Sequence, residues 1–219
     1  EKFLNVGLWV NEDLEKYNGN IDKLIKTLQS NNNGNKSNLS LKDAQIKLYE
    51  LFFILADLKN PKLNVLETGP GVCAHYKLFD KWNLQCNITI YEKYLDMDKD
   101  IKSLIQEKYS EKVKFYKKGA ELTGLDGKKY DRIIAIETAF HYNNRYKYFK
   151  DCYSALNDGG KLIMTDIIIN GKQKKNCFSK LLWKFYSKKV LNINPTNINV
   201  TFEEYKNQLK SCGFKDVIC

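Results

Sequence analysis

The chain has 219 residues, of which 43% are apolar and 13% aromatic, and it carries a formal net charge of +10. This length and composition exclude a disordered protein, and they leave room for one hydrophobic core but not for two ordinary domains. Its apolar runs are shorter than the ~18 residues that a membrane-spanning helix needs. No signal peptide is apparent from Glu1 onward, so we expect a cytoplasmic protein.

The basic charge and the cysteines point to neither nucleic acid nor a metal ion. Arg132 and Arg145 are the only arginines, and the basic charge comes mainly from lysine. Arginine makes most bidentate contacts to phosphates and base edges, so a nucleic-acid-binding face this poor in arginine would be unusual. The six cysteines form no CxxC pair and have no histidine at a metal-ligand spacing, which predicts reduced thiols and no metal site.

In chain order, the predicted elements begin with a helix from Ser40. Ser40 and Asp43 form an approximate capping box, apolar residues then recur at helical spacing, and Pro61 ends the pattern. Five short β-like runs follow, with helical or loop stretches such as 96–109 and 145–156 between them: 63–67, 87–92, 113–116, 132–137 and 161–169. This alternation predicts an α/β fold, a Rossmann-like doubly wound and mostly parallel sheet with helices on both faces.

The last part of the chain and two inserts complete the predicted organisation. Thr201 and Glu204 form a capping box for a last helix that Gly213 ends, and 214–219 is interpreted as a sixth strand, with the seventh strand missing. We divide the chain into an N-terminal helical cap, 1–60, with a polar insert at 31–38, and a core, 61–219. An aromatic-rich insert at 172–199 fits either a lid over a site or a helix packed on the core.

The most informative segment is 67–71, Glu-Thr-Gly-Pro-Gly, where a buried strand passes directly into a Gly-x-Gly turn. Glycine permits positive φ angles and lets the backbone approach a ligand closely. The following helix offers free N–H groups at its N-terminus, and ligands of open α/β sheets bind at the carboxyl ends of the strands. Glu92 ends the second strand, where a carboxylate can accept hydrogen bonds from both hydroxyls of a ribose. The pattern predicts a nucleoside cofactor.

Two classes of nucleoside cofactor fit this arrangement. Gly69, Gly71 and Ala74 satisfy the loose dinucleotide fingerprint GxGxxA, so an NAD(P)-dependent oxidoreductase is the alternative. Glu67 favours S-adenosylmethionine (SAM), because the ammonium and sulfonium groups of SAM are cations that a carboxylate attracts, whereas a pyrophosphate is an anion. Helical sequence ahead of the first strand favours SAM as well.

On these residues the chain resembles the class I SAM-dependent methyltransferases, and most of all the branch that acts on small molecules such as natural products, quinones, tocopherols and sterols. Further segments resemble motifs of that branch and follow one another in the same order as in the family. These segments are 3–9, 130–134, 139–145 with 156–162, and 201–205 with Gly213. The resemblance covers nearly the whole chain.

The resemblance implies an enzyme that transfers a methyl group from SAM to a small molecule by in-line displacement and releases S-adenosylhomocysteine (SAH). It assigns the methionine part of SAM to Gly69 and Gly71, with Glu67 supporting the amino group, and the ribose to Glu92. A SAM-fold protein that binds without catalysing is a further alternative. The resemblance makes no statement on oligomeric state.

The chain departs from the family pattern at Cys73, where a third glycine is usual, and after the third strand, where an acidic residue often binds adenine. Adenine would therefore depend on backbone groups near Ala120. His141, at the end of the fourth strand, is the candidate general base, and its alternative role is to shape the pocket. Trp9 is a candidate for stacking on adenine or substrate.

Overall fold

The structure is a computed structural model, and it describes residues 14–17, 20–30, 39–94, 99–122, 124–168, 185, 188 and 193–218. The strands are β1 (Asn64–Thr68), β2 (Asn87–Tyr91), β3 (Val113–Tyr116), β4 (Tyr130–Ile136) and β5 (Leu156–Thr165). The α-helices are α1 (Ile21–Ser30), α2 (Leu41–Leu55), α3 (Phe79–Trp82), α4 (Lys99–Lys108), α5 (Arg145–Ala155), α6 (Pro195–Ile198) and α7 (Phe202–Ser211).

The strands form one parallel sheet in the order β3-β2-β1-β4-β5. β1 is central, with Leu66 opposite Thr89 of β2 and Ile133 of β4. The chain therefore runs outward from β1 to β3 on one side and from β4 to β5 on the other. Between β1 and β4 lies the topological switch point, where open α/β sheets bind ligands. The predicted Rossmann-like α/β fold is confirmed.

Helices cover both faces of the sheet, because successive side chains of a strand point to opposite faces. On one face, buried residues of α2 and α4 pack against Val65, Ile88 and Ile90. On the other face, buried residues of α5 and α7 pack against Leu66 and Ile133. None of the helices in the described part of the chain is both long and apolar enough to cross a membrane.

Two predicted helix starts are confirmed in atomic detail. Ser40 caps α2, with its hydroxyl oxygen accepting from the Asp43 N–H at 3.2 Å. Thr201 and Glu204 form a complete capping box on α7, in which each side chain accepts from the backbone N–H of the other residue. Such caps satisfy N–H groups that have no partner inside the helix.

Two predictions about local structure are wrong. The described part of the sixth strand, 214–218, forms no strand; the Phe214 N–H instead donates to the Leu209 carbonyl at the end of α7, and its ring packs edge-on against Tyr153 of α5. β5 begins at Leu156 rather than Lys161 and ends at Thr165. The predicted helix after the glycine loop is present, as the 3₁₀ helix Ala74–Leu78 that continues directly into α3.

Candidate active site

The glycine loop and Glu92 meet at the carboxyl ends of β1 and β2. The Gly69 N–H donates to the Tyr91 carbonyl at 2.8 Å, which extends the ladder between the two strands. Both glycines have positive φ angles, 64° at Gly69 and 62° at Gly71, in the region where side chains are strained. One carboxylate oxygen of Glu92 accepts from the Gly71 N–H and the other from the Tyr94 N–H, each at 2.9 Å. Glu92 therefore ties the loop to the end of β2.

The same loop lies against the exit of β4. A Cβ atom added to Gly69 would lie 2.1 Å from Thr138 Oγ1, so only glycine fits at this contact. Thr138 leads directly into the 3₁₀ helix Ala139–His141. The structure thus brings the glycine loop and the segment that carries His141 together at the switch point between β1 and β4.

Two tyrosines, Tyr142 and Tyr148, pack against each other next to this contact. The Thr68 and Tyr148 hydroxyls lie 2.8 Å apart, and Thr138 Oγ1 donates to the Tyr142 hydroxyl at 3.3 Å. The Tyr142 and Tyr148 rings meet edge to face at 4.7 Å. Burial raises the pKa of both phenols, which keeps them uncharged at neutral pH. This tyrosine pair is not predictable from sequence, because a tyrosine after a strand and a tyrosine of α5 come together only in the tertiary structure.

Glu67 is buried beneath the loop and already has two side-chain partners. The Tyr76 hydroxyl donates to Glu67 Oε2 at 2.6 Å, and His75 Nε2 lies 2.9 Å from Glu67 Oε1. His75 in turn stacks on Tyr49 of α2, with ring centroids 4.4 Å apart. A cavity of about 20 Å³ beside these groups has room for roughly one water molecule and none for a cofactor. Glu67 therefore anchors the 3₁₀ helix to β1 and holds α2 over it.

At the exit of β5, a buried ion pair joins the sheet to α5 and α7. Arg145 Nη1 lies 3.0 Å from Asp166 Oδ2, and the two side chains are 2% and 5% exposed. The Tyr205 hydroxyl donates to the same carboxylate at 3.0 Å, and the guanidinium lies 4.5 Å from the Tyr205 ring centroid. Burial raises the pKa of Asp166 against the opposing effect of Arg145. This cluster lies at the β5 side of the carboxyl edge, by which we mean the edge of the sheet formed by the carboxyl ends of its strands.

The remaining predicted site residues differ in their placement. His141 is exposed, and its ring lies 4.3 Å from that of Phe140. Ala120 is 2% exposed in a 3₁₀ helix after β3, packed within the core. Trp9 lies outside the described residues. No cluster of metal-ligating side chains occurs within the part of the chain that the structure describes.

Part of the chain is similar to a known protein domain. Residues 66–164 match the family model of the methyltransferase domain. No protein of curated function matches the chain in sequence. The sequence match covers the strands from β1 to β5 and therefore includes the glycine loop, Glu92 and His141.

The fold is similar to those of several solved structures. A cyclopropane synthase from Mycobacterium tuberculosis superposes with a TM-score of 0.61 at 18% identity, over 82% of this chain and 64% of that one. The cyclase SpnF superposes with a TM-score of 0.61 at 15% identity, over 98% and 76%. An O-methyltransferase from Brevibacillus brevis, solved in complex with SAH, superposes with a TM-score of 0.53 at 17% identity, over 78% and 56%. The chain therefore spans less than two thirds of the length of the synthase and of the O-methyltransferase. Residues 66–164 are thus similar to the methyltransferase domain, and the chain shares the fold of these structures.

Proposed function

We propose that this chain, whose residues 66–164 match the methyltransferase domain, binds SAM at the carboxyl edge of its sheet and methylates a small molecule. The observation that carries the proposal is the junction of three features at the switch point. The loop at Gly69 and Gly71 is bonded to Glu92 on one side and packed against Thr138 on the other. The 3₁₀ helix that ends at His141 follows Thr138 directly.

The residues at this edge fit the cofactor. Each Glu92 oxygen accepts one backbone N–H and has a further lone pair, so the carboxylate has the capacity to accept ribose hydroxyls as well. The absence of side chains at Gly69 and Gly71 lets the methionine part lie against the loop backbone. When bound, SAM supplies an electrophilic methyl group on a sulfonium. We assign Glu67 a supporting role, in which it fixes the loop through His75 and Tyr76.

The chain's own contribution to the reaction is alignment and proton removal. In-line displacement needs no covalent enzyme intermediate, so the protein mainly orients the acceptor and excludes water. His141 is exposed at the carboxyl edge, where its imidazole can take a proton from a hydroxyl or ammonium acceptor. The neutral phenols of Tyr142 and Tyr148 contact the hydroxyls of Thr138 and Thr68 and add no charge there.

The arginines support a small molecule over nucleic acid as the acceptor. Arg145 is 2% exposed and paired with Asp166. Arg132 is half-buried, with Nη1 donating to the backbone carbonyl of Asp131 at 2.7 Å. Both guanidinium groups thus serve the fold, and lysines provide the exposed basic charge.

Binding and turnover test the proposal separately. Calorimetry should show that SAM and SAH bind and that NADPH does not, and the Gly71→Val protein should lose SAM binding. Because Gly71 has a positive φ angle, Glu92→Gln serves as a second variant if Gly71→Val does not fold. Methyl-labelled SAM should then label at least one acceptor in a panel of phenols, amines and carboxylic acids. NADPH binding without SAM binding would refute the cofactor, and bound SAM without transfer to the panel would refute the reaction.

A further inference from the structure

The turn that carries His141 is held by a distant part of the chain. We call residues 140–143 the His141 turn. Asn194, which precedes α6, donates from Nδ2 to the carbonyl oxygen of Asn143 at 2.9 Å and to that of Tyr142 at 3.3 Å. The other side-chain atom of Asn194, Oδ1, caps α6 by accepting from the Thr196 N–H and hydroxyl.

Asn197 adds a second amide to the same turn. Its Nδ2 donates to the Tyr142 carbonyl at 2.6 Å and to the Phe140 carbonyl at 3.4 Å. The Asn194 backbone N–H also donates to the Phe140 carbonyl, at 3.1 Å. Asn197 is 6% exposed, and a buried amide is costly unless it is hydrogen-bonded. These contacts therefore explain why a polar residue occupies a core position in α6.

The opposite side of the turn is held as well. The Asn143 N–H donates to Glu121 Oε2 at 2.6 Å, from the 3₁₀ helix that follows β3. The His141 N–H donates to the carbonyl of Thr138, just before the turn, at 3.0 Å. Backbone groups on both sides of His141 are thus fixed by other segments, while its side chain is exposed.

We propose that Asn194 and Asn197 are positioning residues that act through His141. Their amides fix the carbonyl groups on either side of His141 and so set where the imidazole lies at the carboxyl edge. The expected effect on turnover rests on the proposed methyl transfer, whereas the hydrogen bonds that hold the turn do not depend on it. Misplacing a reacting group by about 1 Å can cost on the order of 100-fold in rate, so small shifts of this turn should be visible in turnover.

The first test removes the amide donor of Asn194 and keeps the N-cap of α6. Asn194→Ser retains a good N-cap oxygen for α6 and removes the amide. Asn144→Ser is the matched control, because Asn144 is the N-cap of α5, next to the turn, and accepts from the Lys147 N–H at 2.9 Å. With the best acceptor of the panel, Asn194→Ser should lower kcat on the order of 10- to 100-fold. It should leave the SAM dissociation constant within about twofold, and Asn144→Ser should change neither.

An imidazole signal decides the geometry independently of turnover. The chain has two histidines, so proton–carbon correlation spectra of the SAH-bound protein contain two imidazole sets, which His141→Ala assigns. Asn194→Ser and Asn197→Ala should shift the His141 signal and leave the His75 signal in place. An unshifted His141 signal in both variants, or equal kcat in Asn194→Ser and Asn144→Ser, would overturn the proposal. If wild-type protein binds SAH but methylates nothing, the proposed function fails while a shifted His141 signal still supports the positioning role.

Discussion

The contact between Gly69 and Thr138 allows a stability prediction worked from the structure. Gly69 has φ +64°, and a Cβ there would meet Thr138 Oγ1 at 2.1 Å and Thr138 Cβ at 2.9 Å. An alanine in the left-handed region costs roughly 1–2 kcal/mol, and the lower entropy of the unfolded chain offsets about 0.4–1 kcal/mol of this. Displacing Thr138 adds about 1–3 kcal/mol of overpacking. Gly69→Ala should therefore lower the free energy of unfolding by about 1–5 kcal/mol.

A matched control separates backbone strain from the collision. Gly127 has φ +66°, nearly that of Gly69, and an added Cβ there would meet no atom within 4 Å. Gly127→Ala should cost about 1 kcal/mol, from strain alone. Thr138→Ala removes the nearest atom, so Gly69→Ala should cost about 1–2 kcal/mol less in that background, as a double-mutant cycle would measure.

Urea unfolding followed by circular dichroism measures these differences in the free energy of unfolding. The slope of that free energy against urea concentration should be equal in all variants, which checks two-state behaviour. Calorimetry of the Gly69→Ala protein below its unfolding midpoint should also show weakened SAM binding. A Gly69→Ala cost no larger than that of Gly127→Ala would refute the close packing of loop and turn. So would equal Gly69→Ala costs in the wild-type and Thr138→Ala backgrounds.

Three further predictions concern single side chains. Glu92→Ala should weaken SAM binding by about 1–3 kcal/mol through lost charged hydrogen bonds, and calorimetry with an unchanged affinity would contradict the ribose role. His141→Ala should slow methyl transfer and leave SAM affinity nearly unchanged, so equal losses in rate and affinity in labelled-SAM assays would argue against a role in proton removal. The Asn64 N–H donates to Asp131 and lowers the pKa of that carboxyl, so Asp131 stabilises the fold above its ordinary pKa of about 4. This stabilisation is lost as pH falls through the lowered pKa. Asp131→Asn should therefore lower the free energy of unfolding in urea by about 1 kcal/mol at pH 7 and by little at pH 2. Equal losses at the two pH values would contradict this origin.

Local pattern determined much of the fold. The alternation of short apolar runs with helical stretches predicts the parallel sheet, because each run is long enough for a buried strand and each connection for a crossover. The N-cap at Ser40 and the capping box at Thr201 depend on three or four neighbouring residues, and both helix starts are confirmed. The glycine loop and Glu92 could be placed at one edge from sequence, since the carboxyl ends of neighbouring parallel strands lie together.

Only the tertiary structure decided what each of these groups contacts. The predicted sixth strand does not form, and Phe214 packs on Tyr153 of α5, a contact that a β-like pattern cannot reveal. Asn194 and Asn197 reach the His141 turn across more than fifty residues of sequence, so local pattern cannot indicate that partner. Periodicity and capping are set by neighbours along the chain. Hydrogen bonds between distant segments depend on how whole elements pack, and that packing decided which residues surround the candidate site.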